Sequence, residues 1–454
     1  MKSREFITKV KEHMKEFKVS GAAVGIRHGE ETLTKGLGVT NVDHPVPVDE
    51  TTLFQIGSIT KTFVGTLTMM MVEEGKLELD EPIRTYLPEF KVKDRDATEK
   101  ATVRHLLTHT SGWVGDWFPP DLGQGAEAVA KYVETMKDTP QLTPLGEVLS
   151  YNNAGFNVAG RILEVVTGKV FSDLIKERIL EPLSMSHTYL LPWDVMVHRF
   201  AVGHVTKEGS PRPAEPWSIG RASGPAGGIV TCVKDMLNYG QFQLGDGTYG
   251  GKMLLGPESL KTLHTTQVRF APHNGVAHTF WVDDRRASPT LSHSGGTVGQ
   301  ISLFTLVPDH DYAMLVVTNS GTGSQITQKV TNLALNSYLG LETPDLAPVK
   351  VPEERLRELE GQYTATLTSA EVTVKKGELY ISQKSLGGFP TRDTPPASPE
   401  PSPPVRYAFY AEDNIIGMEE PSMGNLGQIL RNRDGTVAWL RIGTRIHRPL
   451  RSEK

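Results

Sequence analysis

Ser58 and Lys61 stand three positions apart in Phe54-Gln-Ile-Gly-Ser-Ile-Thr-Lys-Thr-Phe63. On an α-helix that spacing sets both side chains on one face, about one turn apart, so the amine can reach the hydroxyl. Such a pair can carry out acyl transfer. A buried amine loses proton affinity, can take the serine proton near neutral pH, and so turns the hydroxyl into a nucleophile. Phe63, Leu67, Met70 and Met71 fall at i, i+4, i+7 and i+8, and Gly75 follows as a stop, so a helix is expected here. Ser58 then lies in its first turn, at the positive end of the helix dipole. S-x-x-K recurs by chance in long chains, and the pair alone is not diagnostic.

Two later segments add groups that could work with it. Tyr151-Asn-Asn153 precedes the helix-like run 155–166 and offers a phenol and an amide. His293-Ser-Gly-Gly296 precedes two apolar runs, 301–307 and 313–318, joined by Pro308-Asp-His-Asp311, which read as an antiparallel hairpin. Each residue also has a plain structural role: Asn153 as a helix N-cap, Tyr151 as a packing residue, His293 as a surface histidine. Their order along the chain favours the chemical reading.

With those residues in that order, the chain resembles the serine β-lactamase and penicillin-binding protein superfamily, in the class C-like branch with D-aminopeptidases, D,D-peptidases and family VIII carboxylesterases. Tyr151-Asn-Asn153 takes the place of S-D-N, and His293-Ser-Gly295 that of K-T-G. Segments 52–57, 103–112, 181–185 and 225–230 resemble the family as well, so the likeness covers residues 5 to 340. It implies an α+β fold, an antiparallel sheet flanked by helices. It also implies Ser58 as nucleophile, Lys61 and Tyr151 sharing the general-base role, and the backbone N–H groups of Ser58 and Gly296 as oxyanion hole. Asn153, His293, Gly295 and Gly296 would contact substrate, water would release the acyl-enzyme, and no cofactor is needed. His293 departs from the family's lysine. A histidine is half-charged only near its ordinary value of about 6.5, so its hold on a substrate carboxylate is weaker. That moves the expectation from penicillins toward small peptides or esters.

Other features bound the reading. The 454 residues, 38% hydrophobic and with a net charge of −5, suffice for two or three domains and give no reason to expect nucleic acid. The single cysteine, Cys232, excludes an internal disulfide and reads as a small core residue. His105 and His109 stand at i, i+4, but no acidic third ligand accompanies them, so no metal is expected. Trp113 and Trp117 could equally line a cleft or fill a core. The N-terminal ten residues read as a surface helix, and no apolar run matches a membrane span, so a cytoplasmic protein is expected.

The elements that must position these groups follow. Gly21 to Arg27 and Glu31 to Lys35 read as an opening hairpin around His28-Gly29; with the late hairpin it would build one sheet from both ends of residues 1–345. The proline-rich stretch 340–352 reads as a linker. Beyond it, runs 362–368, 371–375, 378–382, 406–411 and 436–442, with turn signals at Lys376-Gly377 and Asp434-Gly435, predict a small all-β barrel over 353–454. That region resembles the lipocalin-like domain carried by some of these hydrolases, including an archaeal peptidase acting on D-amino-acid-containing peptides. The insert 394–404 reads as an exposed proline-rich loop. No catalytic motif lies beyond Gly299, so removing the barrel is expected to leave the Ser58 machinery working; its own use would be access, a partner, or a homo-oligomer interface. The expected function is a serine hydrolase of small peptides, D-residues included. The alternatives are a short-acyl carboxylesterase, a β-lactamase, or a non-catalytic binding protein.

Overall fold

The computed structural model describes residues 3–450 apart from 120, 216, 218 and 388–399. An amphipathic helix α1 (Ser3–Glu16) leads into the hairpin β1 (Gly21–His28) and β2 (Glu31–Gly38), which turns through Gly29 at φ +58° as the sequence predicted. Then come α2 (Thr60–Glu73), α3 (Val103–Leu107), α4 (Asn153–Thr167) and α5 (Val233–Leu244). The chain returns to the sheet with β3 (Val268–Ala271), β4 (Asn274–Val276), β5 (Trp281–Asp283), β6 (Thr290–Thr297), β7 (Gln300–Val307) and β8 (Tyr312–Thr318), then closes with α6 (Gly323–Leu339).

These strands form one antiparallel sheet in the order β2-β1-β8-β7-β6-β5-β4-β3. The N-terminal strand is therefore sealed against the last, with Val24 opposite Val316. Every residue of β8 is buried, because both faces are covered. Val24, Ile26, Met314 and Val316 face α1 and α6 with Phe6, Val10, Ile326 and Val330. Ala23, Leu315 and Val317 point the other way, into the core built on α2, α4 and α5. The alternation follows from the period of two along a strand.

Helix α2 departs from the expected amphipathic pattern. Residues 60 to 71 are all buried, since α2 runs through the middle of the helical layer rather than along its surface. Its threonines stay satisfied: Thr62 and Thr66 share hydrogen bonds with the Tyr239 hydroxyl, and Gln243 donates to Thr66 at 2.9 Å. Cys232 packs with Leu53, Val195 and Val230, and burial pushes its thiol up to about 12, so it acts as a core residue.

Past residue 352 eight strands close into a barrel: β9 (Gly361–Thr364), β10 (Thr368–Lys375), β11 (Glu378–Ser385), β12 (Val405–Ala411), β13 (Asn414–Gly417), β14 (Leu426–Arg431), β15 (Val437–Ile442) and β16 (Arg445–Pro449). Each pairs with the next, and Tyr363 opposite Pro449 completes the ring, leaving no open edge. Val372, Leu379, Ile381, Phe409, Ile415 and Leu440 belong to its core. The run read as one strand over 362–368 is two, broken at 365–367. Part of the proline-rich insert, 394–399, lies outside the described residues. Of the remainder, Ser402 donates its backbone N–H to the Gln383 carbonyl at 2.7 Å, and so lies along β11.

Candidate active site

Gly57 sits at φ +51° and Ser58 occupies a single 3₁₀ turn, Gly57–Ile59, that runs straight into α2. The serine therefore lies one turn before the helix proper, still at its positive end. A Cβ on Gly57 would stand 2.8 Å from the Gly296 backbone nitrogen, so the serine turn and strand β6 touch through backbone alone. Strand β5 pairs with β6 only as far as Ser292, and from His293 onward the outer edge of β6 is open to the Ser58 turn. At Gly295 a Cβ would lie 1.8 Å from the Ile56 carbonyl oxygen and 2.6 Å from Ser302 Oγ. A Gly295→Ala exchange meets the Ile56 backbone first, which cannot rotate away as the Ser302 hydroxyl could. It is expected to cost about 1–3 kcal/mol or more, read as a lower urea midpoint, with loss of activity because the strand beside Ser58 must shift.

Lys61 is fully buried, and its Nζ lies 3.0 Å from Ser58 Oγ, 2.8 Å from Asn153 Oδ1 and 2.6 Å from the Ala226 carbonyl oxygen. Burial lowers the amine's proton affinity well below its ordinary value; repulsion by Arg445 adds to this and Asp116 opposes it. Three oxygen neighbours match the three N–H bonds of an ammonium, and the neutral amine can be placed among them too. A neutral amine has two N–H bonds and one lone pair. Asn153 Oδ1 and the Ala226 carbonyl can only accept, so in that form they use both N–H bonds, and the lone pair is left for the Ser58 hydroxyl.

Tyr151 acts electrostatically with Ser58, and its ring lies 5.0 Å from Lys61 Nζ. Burial raises its phenol, so it stays protonated. Burial thus acts on the two groups in opposite senses, lowering the proton affinity of Lys61 and raising that of Tyr151. Asn153 is not the N-cap of α4. Asn152 is, accepting from the Gly155 N–H at 2.8 Å, which leaves Asn153 free to face Lys61.

His293 is 1% exposed, and its Nδ1–H donates to the Ser294 carbonyl at 2.6 Å. Burial and Lys61 drive it down to about 3, so the half-charged side chain expected from its ordinary value is not what the fold provides. Its ring packs near Tyr151 and Trp281 instead. His105 and His109 do not share a helix face. Helix α3 ends at Leu107, His105 closes a capping box with Thr102, and His109 has left the helix at φ +60°. His109 accepts the Asn152 N–H at 3.0 Å and stacks at 4.7 Å on Tyr151 and 5.5 Å on Trp281, so it supports the phenol. Among the described residues, no three His, Cys, Asp or Glu side chains gather as a metal site requires. Trp113 is core, and Trp117 bonds Thr135. The space beside Ser58 is lined by Phe118, Asn153, Asn157, Ile219 and Gly296 among others, and amounts to about 10 Å³, room for one water.

Sequence reasoning missed two charged residues. Asp116, between those tryptophans, accepts from Asn153 Nδ2 at 2.8 Å and from Arg445 at 2.6 and 3.0 Å. Arg445 opens β16 in the barrel, and its guanidinium lies 4.8 Å from the Tyr151 ring. The β15–β16 hairpin grips the whole 149–151 segment: the Tyr151 N–H donates to the Thr444 carbonyl at 2.8 Å, and Arg441 donates to the Leu149 carbonyl at 2.7 Å. The expectation that nothing beyond Gly299 bears on the chemistry is therefore corrected. A chain ending at Pro352 should keep its helical circular dichroism yet label with a fluorophosphonate at least tenfold more slowly at pH 7, a loss the full chain does not show. No local pattern announces either residue, since an aspartate between aromatics and an arginine after a Gly-Thr turn both read as surface.

Residues 6–335 match the Beta-lactamase family profile. "Penicillin-binding protein 4" of Amycolatopsis lactamdurans is 28% identical over 353 residues, covering 74% of this chain and 91% of that protein. "Protein flp" of Staphylococcus aureus is 26% identical over 331 residues, 70% of this chain and 63% of Flp. Among solved structures, SurE superposes with a TM-score of 0.75 at 23% identity and 98% coverage of both chains. The octameric penicillin-binding protein homologue from Pyrococcus abyssi gives 0.66 at 24%, covering 98% of this chain and 99% of that one. A class C β-lactamase from Rhodobacter sphaeroides gives 0.62 at 23%, over 73% of this chain and all of its own. The last likeness stops short of the barrel, whereas the first two run through it. No helix among the described residues is long and apolar enough to cross a membrane. With a serine, a lysine and a tyrosine converging where the family profile matches, this chain belongs to the beta-lactamase family of serine hydrolases.

Proposed function

We propose that this protein is a serine peptidase or amidase that cleaves small peptides, D-residue-containing ones among them, through an acyl-enzyme on Ser58. The observation that carries the reading is Lys61, fully buried with its proton affinity lowered and its Nζ 3.0 Å from the Ser58 hydroxyl. Lys61 takes the serine proton as Oγ attacks the carbonyl carbon. The Ser58 and Gly296 N–H groups hold the developing oxyanion, an interaction whose loss costs about 10²–10³ in rate. Tyr151, its phenol raised by burial and set beside Lys61, passes a proton to the leaving nitrogen and recovers it through Lys61 when water attacks the ester. Gly295 and His293 shape the wall beside the oxyanion.

The preference for peptides rests on a two-part architecture superposable over 98% of its length on SurE, a protein also solved with D-Leu. Hydrolysis of short acyl esters is a second reading, favoured by the apolar Phe118 and Ile219 around a space of about 10 Å³. Oligomerisation belongs to the same reading, supported by the octameric homologue. The test is a panel of D- and L-aminoacyl p-nitroanilides, p-nitrophenyl esters and a chromogenic cephalosporin. The peptidase reading expects kcat/KM to favour a D-anilide over its L-isomer. Turnover of esters alone would replace it with the esterase, and turnover of the cephalosporin alone with a β-lactamase.

A further inference from the structure

Asp116 is 7% exposed and spends all its contacts on two neighbours. Arg445 holds both carboxylate oxygens, Nε to Oδ2 at 2.6 Å and an Nη to Oδ1 at 3.0 Å, and Asn153 Nδ2 donates to Oδ1 at 2.8 Å. A carboxylate only accepts, so Asp116 fixes which way the Asn153 amide points, and Oδ1 must face Lys61. A continuous chain of hydrogen bonds thus runs from the barrel to the nucleophile: Arg445, Asp116, Asn153, Lys61, Ser58.

The charges along it matter more than the contacts. The groups that face Lys61 are Tyr151, His109 from the exit of α3, His293 from β6, Asp116 from the 113–117 segment and Arg445 from the barrel. Burial holds both histidines neutral and the tyrosine protonated, so Asp116 and Arg445 are the full charges among them. With the hairpin docked, Arg445 opposes the pull of Asp116 on the amine. With it withdrawn, Asp116 would be a lone carboxylate close to a buried amine, the arrangement that favours an ammonium. An ammonium has no lone pair and would donate to all three oxygens around it, Ser58 Oγ included, leaving the serine without a base.

We propose that Arg445 is a positioning residue for the acyl transfer: by occupying both oxygens of Asp116 it denies Lys61 a counter-ion, so Ser58 is competent only when the barrel hairpin is docked. The inference rests on the reading of Ser58 as nucleophile. It gives the barrel a part in catalysis that needs no contact with substrate.

The experiment is the pH dependence of fluorophosphonate labelling in the full chain, for the wild type, Arg445→Ala, Asp116→Asn and the double variant. The small probe has no carboxylate, so lost substrate recognition cannot imitate the effect. Arg445→Ala is expected to shift the acid limb upward by about 1–3 pH units and to slow labelling at pH 7 about tenfold or more. Asp116→Asn, which leaves the arginine unpaired, is expected to shift it downward or leave it in place. The double variant removes both charges and should return the midpoint close to the wild-type value. Arg445→Gln keeps most of the side-chain length and serves if the alanine variant folds poorly by circular dichroism. An unmoved midpoint in the arginine variants, or a double variant as displaced as the single one, would overturn the proposal. Absence of wild-type labelling at any pH would overturn the nucleophile reading and the proposal together.

Discussion

Replacing Ser58 by alanine is expected to abolish both turnover and covalent capture. The acyl-enzyme requires the Oγ, and the described site holds no second hydroxyl in contact with Lys61 Nζ. The fold should survive, because one small hydroxyl at a half-exposed position contributes within about 0.5 kcal/mol. Mass spectrometry after fluorophosphonate treatment checks this directly. The wild type gains one adduct on the peptide carrying Ser58, and the variant gains none at an unchanged melting temperature. An adduct persisting in the variant would place the nucleophile elsewhere.

The second large effect belongs to the proton machinery. Lys61→Met removes the amine set beside the serine hydroxyl, and Tyr151→Phe removes the proton that the leaving group needs. Each is expected to lower kcat by about 10²–10⁴. Because both act on the same hydroxyl in the same step, the double variant should be little slower than the worse single one. Multiplicative losses would mean that the two serve separate steps. Lys61→Met also leaves Asn153 Oδ1 and the Ala226 carbonyl without their donor, which costs about 1–3 kcal/mol. Against that stands relief from burying the amine, so the net change in stability should be modest while the change in rate is large. For the wild type, the sign of the pH dependence follows from the same groups. Lys61 is lowered and must be neutral, so activity rises with pH through its acid limb. Tyr151 is raised and must keep its proton, so activity falls only at strongly alkaline pH. His293, held near 3, contributes no limb near neutrality.

Much of the sheet could be read from the sequence because its signals are local. Two hairpins announce themselves through Gly29 and Pro308-Asp311, the second between two continuous apolar runs. Five of the barrel's eight strands were legible for the same reason. Leu426–Arg431 was not read, Asn414–Gly417 was not, being four residues long, and Arg445–Pro449 was not, since its two arginines and its proline read as surface. The first of those arginines is where tertiary structure overrides local pattern: Arg445 can be taken into the site because it answers Asp116, some three hundred residues earlier in the chain.

By itself, then, the sequence determined the chemistry available to this protein. A serine and a lysine three positions apart at a helix start, a tyrosine and an asparagine before a second helix, and a glycine pair on a strand are dictated by spacing, and spacing is a local property. Only the tertiary structure decided the state of those groups. That Lys61 loses proton affinity, Tyr151 holds its proton more tightly and His293 is driven down to about 3 follows from how completely each is removed from water. That Asn153 faces Lys61 follows from Asp116, and that Asp116 is quiet follows from an arginine on the barrel. Burial and charge pairing are sums over everything within a few ångströms, and most of what lies within a few ångströms of Ser58 is distant from it along the chain.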